Sequence, residues 1–274
     1  METVLEVKDL TKTFVTEGKA DFTAIKHIQF QLFQGETLGI VGESGSGKST
    51  LARVITRLID PTEGSIFLCG EEITGKKGKE LRQVYKNIQM IFQNPVSSFD
   101  PRRSLGHGIG ESLRNSGVPK AEAKKRVLEL LGQCGLSEEF YDRYPHEVSG
   151  GQCQRAAIAR ALAVKPKIVI CDEATSALDV TVQQQIMELL DAFRKEYQIS
   201  YLFICHNLAL VQQFCDRVLV MKDGRIVEEG TPDEVILKPK EEYTKMLVES
   251  VVSVLEKENP RMGMLYKKKH QNYR

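Results

Sequence analysis

Two hydrophobic periods divide the chain. Near the N-terminus Val4, Glu6 and Lys8 interleave with Leu5, Val7 and Asp9, and a similar beat returns in Ile28-Gln29-Phe30-Gln31-Leu32 before Gly35. A period of two marks a strand with one buried face, so both segments predict half-buried antiparallel strands. Three runs are apolar almost throughout: Thr37-Leu38-Gly39-Ile40-Val41, Ile168-Val169-Ile170-Cys171 and Ile199-Ser200-Tyr201-Leu202-Phe203-Ile204-Cys205. They predict short strands buried on both sides. Ser65-Ile66-Phe67-Leu68-Cys69, between the turn residues 61–64 and Gly70, predicts another strand, and Val218-Leu219-Val220-Met221 with residues 224–230 a hairpin.

Elsewhere apolar residues fall three and four apart. Leu51, Val54, Ile55 and Leu58 form one such set, Val127, Leu130 and Leu131 a second, and Val182, Ile186, Leu189, Leu190 and Phe193 a third. Each is one face of a helix. Residues 95–165 are helical in texture, residues 233–237 and 241–255 read as helices, and residues 75–79 as a charged loop. Strands and helices alternating around short buried runs indicate an α/β fold.

Composition narrows the class. The 274 residues, 41% hydrophobic, can bury one large core or those of two associated lobes, and the net charge of +1 argues against nucleic acid as the main partner. No apolar run approaches the roughly 20 residues that span a bilayer, and residues 1–6 lack the basic and apolar regions of a signal peptide, so a soluble or peripheral protein on the cytosolic side is expected. Cysteines 69, 134, 153, 171, 205 and 215 include no C-x-x-C pair and several sit in apolar runs. Buried reduced thiols are expected, in place of a disulfide framework or a zinc site.

The chemistry starts at Gly42-Glu43-Ser44-Gly45-Ser46-Gly47-Lys48-Ser49-Thr50, which fills G-x-x-x-x-G-K-[ST] between a predicted strand and a predicted helix. Glycines let backbone N–H groups close on phosphate oxygens, and the helix N-terminus adds partial positive charge. Lys48 is expected to reach the β- and γ-phosphates and the Ser49 hydroxyl to ligate Mg²⁺. Downstream, Asp172 and Glu173 end an apolar strand, where ligands of open α/β sheets bind. The pair suits a metal ligand, Asp172, followed by a group that orients or deprotonates water, Glu173. Ser149-Gly150-Gly151 before an Ala-rich run reads, taken alone, as an ordinary helix cap; His206 after a buried strand reads as structural, and Phe14 as packing, in competition with Phe22. Residues 266–274 form a basic tail.

The order of these motifs resembles the ATP-binding subunit of ABC transporters over residues 2–250. The resemblance implies a P-loop NTPase core with an N-terminal antiparallel β subdomain and an α-helical subdomain inserted at about 95–165, followed by an extension, 251–274. It implies that Phe14 stacks on adenine, that residues 42–50 are Walker A and Gln93 the Q-loop glutamine, and that Ser149, Gly150, Gly151 and Gln152 form the signature acting in trans. Asp172 would end Walker B, Glu173 would be the catalytic glutamate, Asp179 would close the D-loop 176–179, and His206 would be the switch histidine. ATP and Mg²⁺ are the implied cofactors, with Ser49, Gln93 and Asp172 as metal ligands. Departures are Val148 for Leu, Cys171 within Walker B and Asn207 for Asp; none removes a phosphate-contacting group.

Residues 87–102 and Pro239-Lys240-Glu241-Glu242-Tyr243-Thr244 further resemble the oligopeptide/dipeptide/nickel import subfamily, without the C-terminal cysteines of some members, so no iron–sulfur cluster is implied. The expected function is an ATPase on the cytoplasmic face of a membrane, energising import of small peptides or nickel chelates. Its implied partners are two polytopic permease subunits, a second ATP-binding subunit, identical or homologous, in a head-to-tail dimer, and indirectly an extracytoplasmic solute-binding protein. One alternative is a soluble ATPase of a carbon–phosphorus lyase complex. Another, an ABC ATPase acting on DNA or ribosomes, lacks the expected coiled-coil insertion or tandem cassette.

Overall fold

The structure is a computed structural model that describes residues 2–15, 18, 20–176 and 178–258. The basic tail and most of the C-terminal extension lie outside the described residues. Ten strands are described: β1 (Thr3–Phe14), β2 (Phe22–Phe33), β3 (Thr37–Val41), β4 (Glu63–Leu68), β5 (Glu71–Glu72), β6 (Ile88–Ile91), β7 (Ile168–Asp172), β8 (Ser200–Ile204), β9 (Arg217–Lys222) and β10 (Arg225–Gly230). The helices are α1 (Lys48–Ile55), α2 (Gly78–Asn87), α3 (Leu105–Ile109), α4 (Glu111–Asn115), α5 (Lys120–Gln133), α6 (Gly150–Leu162), α7 (Val180–Tyr197), α8 (Leu208–Phe214), α9 (Pro232–Leu237) and α10 (Glu242–Glu258). No helix among the described residues is long and apolar enough to cross a membrane.

The chain divides into two compact units. One holds residues 5–32, 36–74 and those from 202 onward. Within it the alternating N-terminal segments form an antiparallel sheet, β2-β1-β4-β5, with Leu5 opposite Leu68 and Val7 opposite Ile66. A second group of strands sets β9 between β10, antiparallel, and β3, parallel, with Ile40 opposite Leu219. All five residues of β3 are buried, and Leu51, Ala52, Val54 and Ile55 of α1 are buried as well. The helix stops earlier than the apolar spacing predicts: Arg57 takes φ +58°, and Leu58 lies outside α1, half exposed at 50%.

The other unit holds residues 75–201 with 1–4 and 33–35. Here β6 runs parallel to β7, Ile88 opposite Ile168, and helices α2 to α7 surround a core that includes Leu105, Ile109, Val127, Leu130, Leu131, Ala156 and Ile158. Residues 95–165 carry helices and short 3₁₀ turns, as their texture predicts. The expected loop at 75–79 is shorter, since α2 begins at Gly78. In α7 the buried face is Ile186, Met187, Leu190 and Phe193. The cysteines are free; Cys134, Cys153, Cys171, Cys205 and Cys215 are buried, while Cys69, beside a turn, is exposed. Burial pushes the thiols of Cys134 and Cys153 up, to about 12 and about 11, so both stay protonated and unreactive at neutral pH.

Candidate nucleotide site

The expected site residues fall in both units. In the first, β3 delivers the chain into the loop 42–47 and α1 receives it. Gly42 has φ +149°, and a Cβ there would stand 2.2 Å from the Met221 carbonyl oxygen; Gly47 has φ +103°, and a Cβ there would stand 2.5 Å from that of Ala24. Only glycine fits either place. Lys48 is 5% exposed, and its Nζ donates to the carbonyls of Gly42 (2.8 Å) and Glu43 (2.7 Å) and to Ser46 Oγ (3.2 Å). The ammonium therefore sits among the loop's own oxygens, which accept its N–H groups.

Two braces hold this loop from outside. The Gly224 N–H, at the β9–β10 turn, donates to the Ser46 carbonyl (3.0 Å), and the Glu43 N–H donates to Tyr243 Oη (3.0 Å). A buried ammonium, two glycines without room for a Cβ and the N-terminus of α1 fit a polyphosphate. Phe14, at the end of β1, is 38% exposed with Lys12 Nζ 5.2 Å from its ring centroid. His206 is exposed just beyond β8, and Asn207 next to it caps α8 by accepting from the Ala209 and Leu210 N–H groups.

In the other unit Asp172 ends β7, 6% exposed. Glu173 follows with φ +49°, a left-handed conformation costing a non-glycine residue about 1 kcal/mol. Its carbonyl accepts from the Ser176 N–H (3.1 Å) and Oγ (3.0 Å), which fixes the turn, and its carboxylate Oε2 accepts from Gln93 Nε2 at 2.7 Å. The structure thus joins Gln93 to Glu173 across 80 positions of sequence. Ser149 caps α6 reciprocally with Gln152: Oγ accepts the Gln152 N–H (3.3 Å) and Gln152 Oε1 accepts the Ser149 N–H (2.9 Å). A Cβ on Gly151 would stand 3.0 Å from Val182 Cγ1 of α7, and Asp179 caps α7 through the Val182 N–H (3.0 Å). Ala177, within the expected D-loop, lies outside the described residues.

Like the Glu43–Tyr243 bond, one further contact had no signal in the sequence. Arg160, in the last turn of α6, donates to the carbonyl and hydroxyl of Ser98 (2.9 Å to Oγ) and lies 4.2 Å from the Phe99 ring centroid. It ties the helix that starts at the Ser-Gly-Gly triplet to the segment just after Gln93.

Residues 25–176 match the family model described as ABC transporter. The chain belongs to the ABC transporter family. It is 41% identical over 260 residues to a di/tripeptide transport ATP-binding protein of Pseudomonas aeruginosa, covering 93% of this chain and 80% of that protein. It is 45% identical over 258 residues to an oligopeptide transport ATP-binding protein of Salmonella typhimurium, covering 90% and 77%. Among solved structures it resembles a dimeric post-hydrolysis state of the ATP-binding cassette MJ0796 bound to ADP and Pi, at TM-score 0.75 and 31% identity over 83% of this chain and 98% of that one. It also resembles cbiO1 of Clostridium perfringens, part of an ABC transporter complex, at TM-score 0.77 and 30% identity over 97% and 100%. The chain is an ABC ATPase, and the α/β fold read from its strands and helices is the fold of that family.

Proposed function

We propose that this ABC ATPase energises import of small peptides across a membrane, from its cytoplasmic face. The observation that carries the proposal is 41% and 45% identity, over nine-tenths of the chain, to two relatives named for di/tripeptide and oligopeptide transport. Those names favour peptides over nickel chelates, and give nothing to the carbon–phosphorus lyase alternative. In this reading residues 1–250 form the ATPase domain with residues 95–165 as its helical insertion. The chain works with a second ATP-binding subunit, two polytopic permeases and, indirectly, a solute-binding protein.

The site residues then take these roles. Phe14 stacks on adenine, residues 42–50 cradle the phosphates, and Lys48 leaves the loop carbonyls to neutralise phosphate oxygens. Ser49, Asp172 and Gln93 would hold Mg²⁺, which supplies charge neutralisation at the phosphates. Glu173 orients the attacking water and accepts its proton; His206 faces the γ-phosphate, and Asp179 belongs to the contact between subunits. Ser149, Gly150, Gly151 and Gln152 of the second subunit close on the nucleotide, so binding joins the subunits and hydrolysis parts them.

Tagging the chain, solubilising native membranes gently and identifying what co-purifies tests the assignment. Two polytopic permeases and a second ATPase, with peptide-stimulated ATP hydrolysis on reconstitution, are expected. Soluble phosphonate-processing subunits and no membrane protein would overturn it.

A further inference from the structure

The corner after β10 carries a chain of contacts that ends in the P-loop. Glu228, in β10, is 8% exposed, and its two carboxylate oxygens accept from the consecutive N–H groups of Lys240 (2.9 Å) and Glu241 (3.1 Å). Charge-assisted bonds to two amides just ahead of α10 fix the place where that helix begins. Thr244 and Val248, one turn apart, are buried and hold the helix down. Tyr243 is then set toward the nucleotide loop, with Lys222 Nζ 4.9 Å from its ring centroid and its hydroxyl accepting from the Glu43 N–H at 3.0 Å.

That N–H belongs to the Gly42–Glu43 peptide unit, which is planar. Its other end, the Gly42 carbonyl, accepts from Lys48 Nζ at 2.8 Å. Tyr243 and Lys48 therefore grip the two ends of one rigid plate. The next carbonyl, of Glu43, takes a second bond from Lys48 (2.7 Å) and one from the Ser46 N–H (3.2 Å). A rotation of the Gly42–Glu43 plate would disturb all of these at once.

We infer that Tyr243 is a positioning residue for nucleotide binding: its hydroxyl pins the Gly42–Glu43 peptide and keeps the loop in the shape from which Lys48 serves the phosphates, while Glu228 sets the place from which Tyr243 acts. The inference rests on residues 42–50 being the ATP cradle. It gives the stretch 239–244 a role in this chain's own chemistry.

The test uses the full chain as wild type, Tyr243→Phe, Glu228→Gln and the double variant, with equilibrium titration by a fluorescent ATP analogue, steady-state ATPase and thermal unfolding. Phenylalanine keeps the ring and deletes only the acceptor. For Tyr243→Phe, Kd and KM should rise about three- to ten-fold, the weight of one hydrogen bond, with kcat within about two-fold and the unfolding midpoint unmoved. Glu228→Gln, which presents donors where two N–H groups arrive, should raise KM alone but add little on top of Tyr243→Phe. Unchanged Kd and KM in Tyr243→Phe, a rise in KM only in step with a fall in the unfolding midpoint, or full additivity of the two changes would overturn the inference. A wild-type chain that fails to bind the analogue, with Lys48→Ala indistinguishable from it, would instead overturn the cradle on which the inference rests.

Discussion

Residues 42–48 and the surroundings of Glu173 hold their chemistry by different means. In the P-loop the main chain does the shaping: Gly42 and Gly47 pass where a Cβ would meet the carbonyls of Met221 and Ala24, and Lys48 bonds to backbone oxygens. At Glu173 side chains do more of it, through the bond from Gln93 and the Ser176 turn, and elsewhere in the same unit the Ser149 and Asp179 side chains cap α6 and α7. A backbone cradle is preorganised for whatever nucleotide arrives, because it has no rotamers to lose. A side-chain cluster keeps its rotamers, and so can rearrange when a phosphate or a second subunit approaches. Affinity should therefore depend on the first region and turnover on the second.

The largest break in that division would come at Glu173. Glu173→Gln keeps size and can still meet Gln93, but removes the carboxylate proposed as the base, so kcat should fall about 10²- to 10⁴-fold while ATP affinity stays within a few-fold. Single-turnover hydrolysis beside an equilibrium titration reads both numbers. Turnover near wild type would remove Glu173 from the base role and leave its left-handed backbone without a purpose.

Gly47→Ala tests the other side. Positive φ costs an alanine about 1–2 kcal/mol, and relieving a 2.5 Å approach to the Ala24 carbonyl costs further, so a loss of about 3 kcal/mol in nucleotide affinity is expected, roughly a hundred-fold in Kd. If alanine is tolerated with full affinity, the cradle is not set by its backbone, and the contrast with the Glu173 region collapses.

What was legible in the sequence follows the same line. β3 and β7 lie where short apolar runs placed them, each closed by a chemical signal, Gly42 or the carboxylates of Asp172 and Glu173. α1 ends before its apolar spacing does, because Leu58 keeps the helical spacing while Arg57 has already turned left-handed, and spacing carries no record of φ. The loop at 75–79 is shorter than its composition suggests, since Gly78 and lysines look like a loop although the helix begins among them. Two contacts stayed invisible: Arg160 with Ser98, 62 residues apart, and Glu43 with Tyr243, 200 apart. No window of periodicity spans such distances, and a single sequence carries no pairing signal. The likeness to ABC transporters named Gln93 and Glu173 together; their 2.7 Å bond came only with the fold.

Arg160→Leu should cost stability more than affinity. The guanidinium gives two bonds to Ser98 and lies on Phe99, so its loss leaves a part-buried carbonyl short of a donor and removes a cation–π contact, about 2 kcal/mol in all. Chemical denaturation reads the loss directly. Because Ser98 lies five residues after Gln93, kcat should fall further than affinity, which places this tie with the side-chain cluster; the reverse order would move it to the cradle's side.

The smallest expected effect separates two duties of one hydroxyl. Ser149 Oγ accepts the Gln152 N–H, so Ser149→Ala should lose about 1 kcal/mol of stability as a missing helix cap. In the proposed dimer the same hydroxyl also meets the γ-phosphate of the opposite site, a duty that appears only in turnover. Ser149→Asp divides the two, since aspartate caps as well as serine but sets a negative charge against phosphate. Unfolding should then return to wild type in Ser149→Asp while ATPase activity stays low. Recovery of both together would reduce Ser149 to a cap, and would leave the cradle as the only part of the site whose geometry matters to the nucleotide.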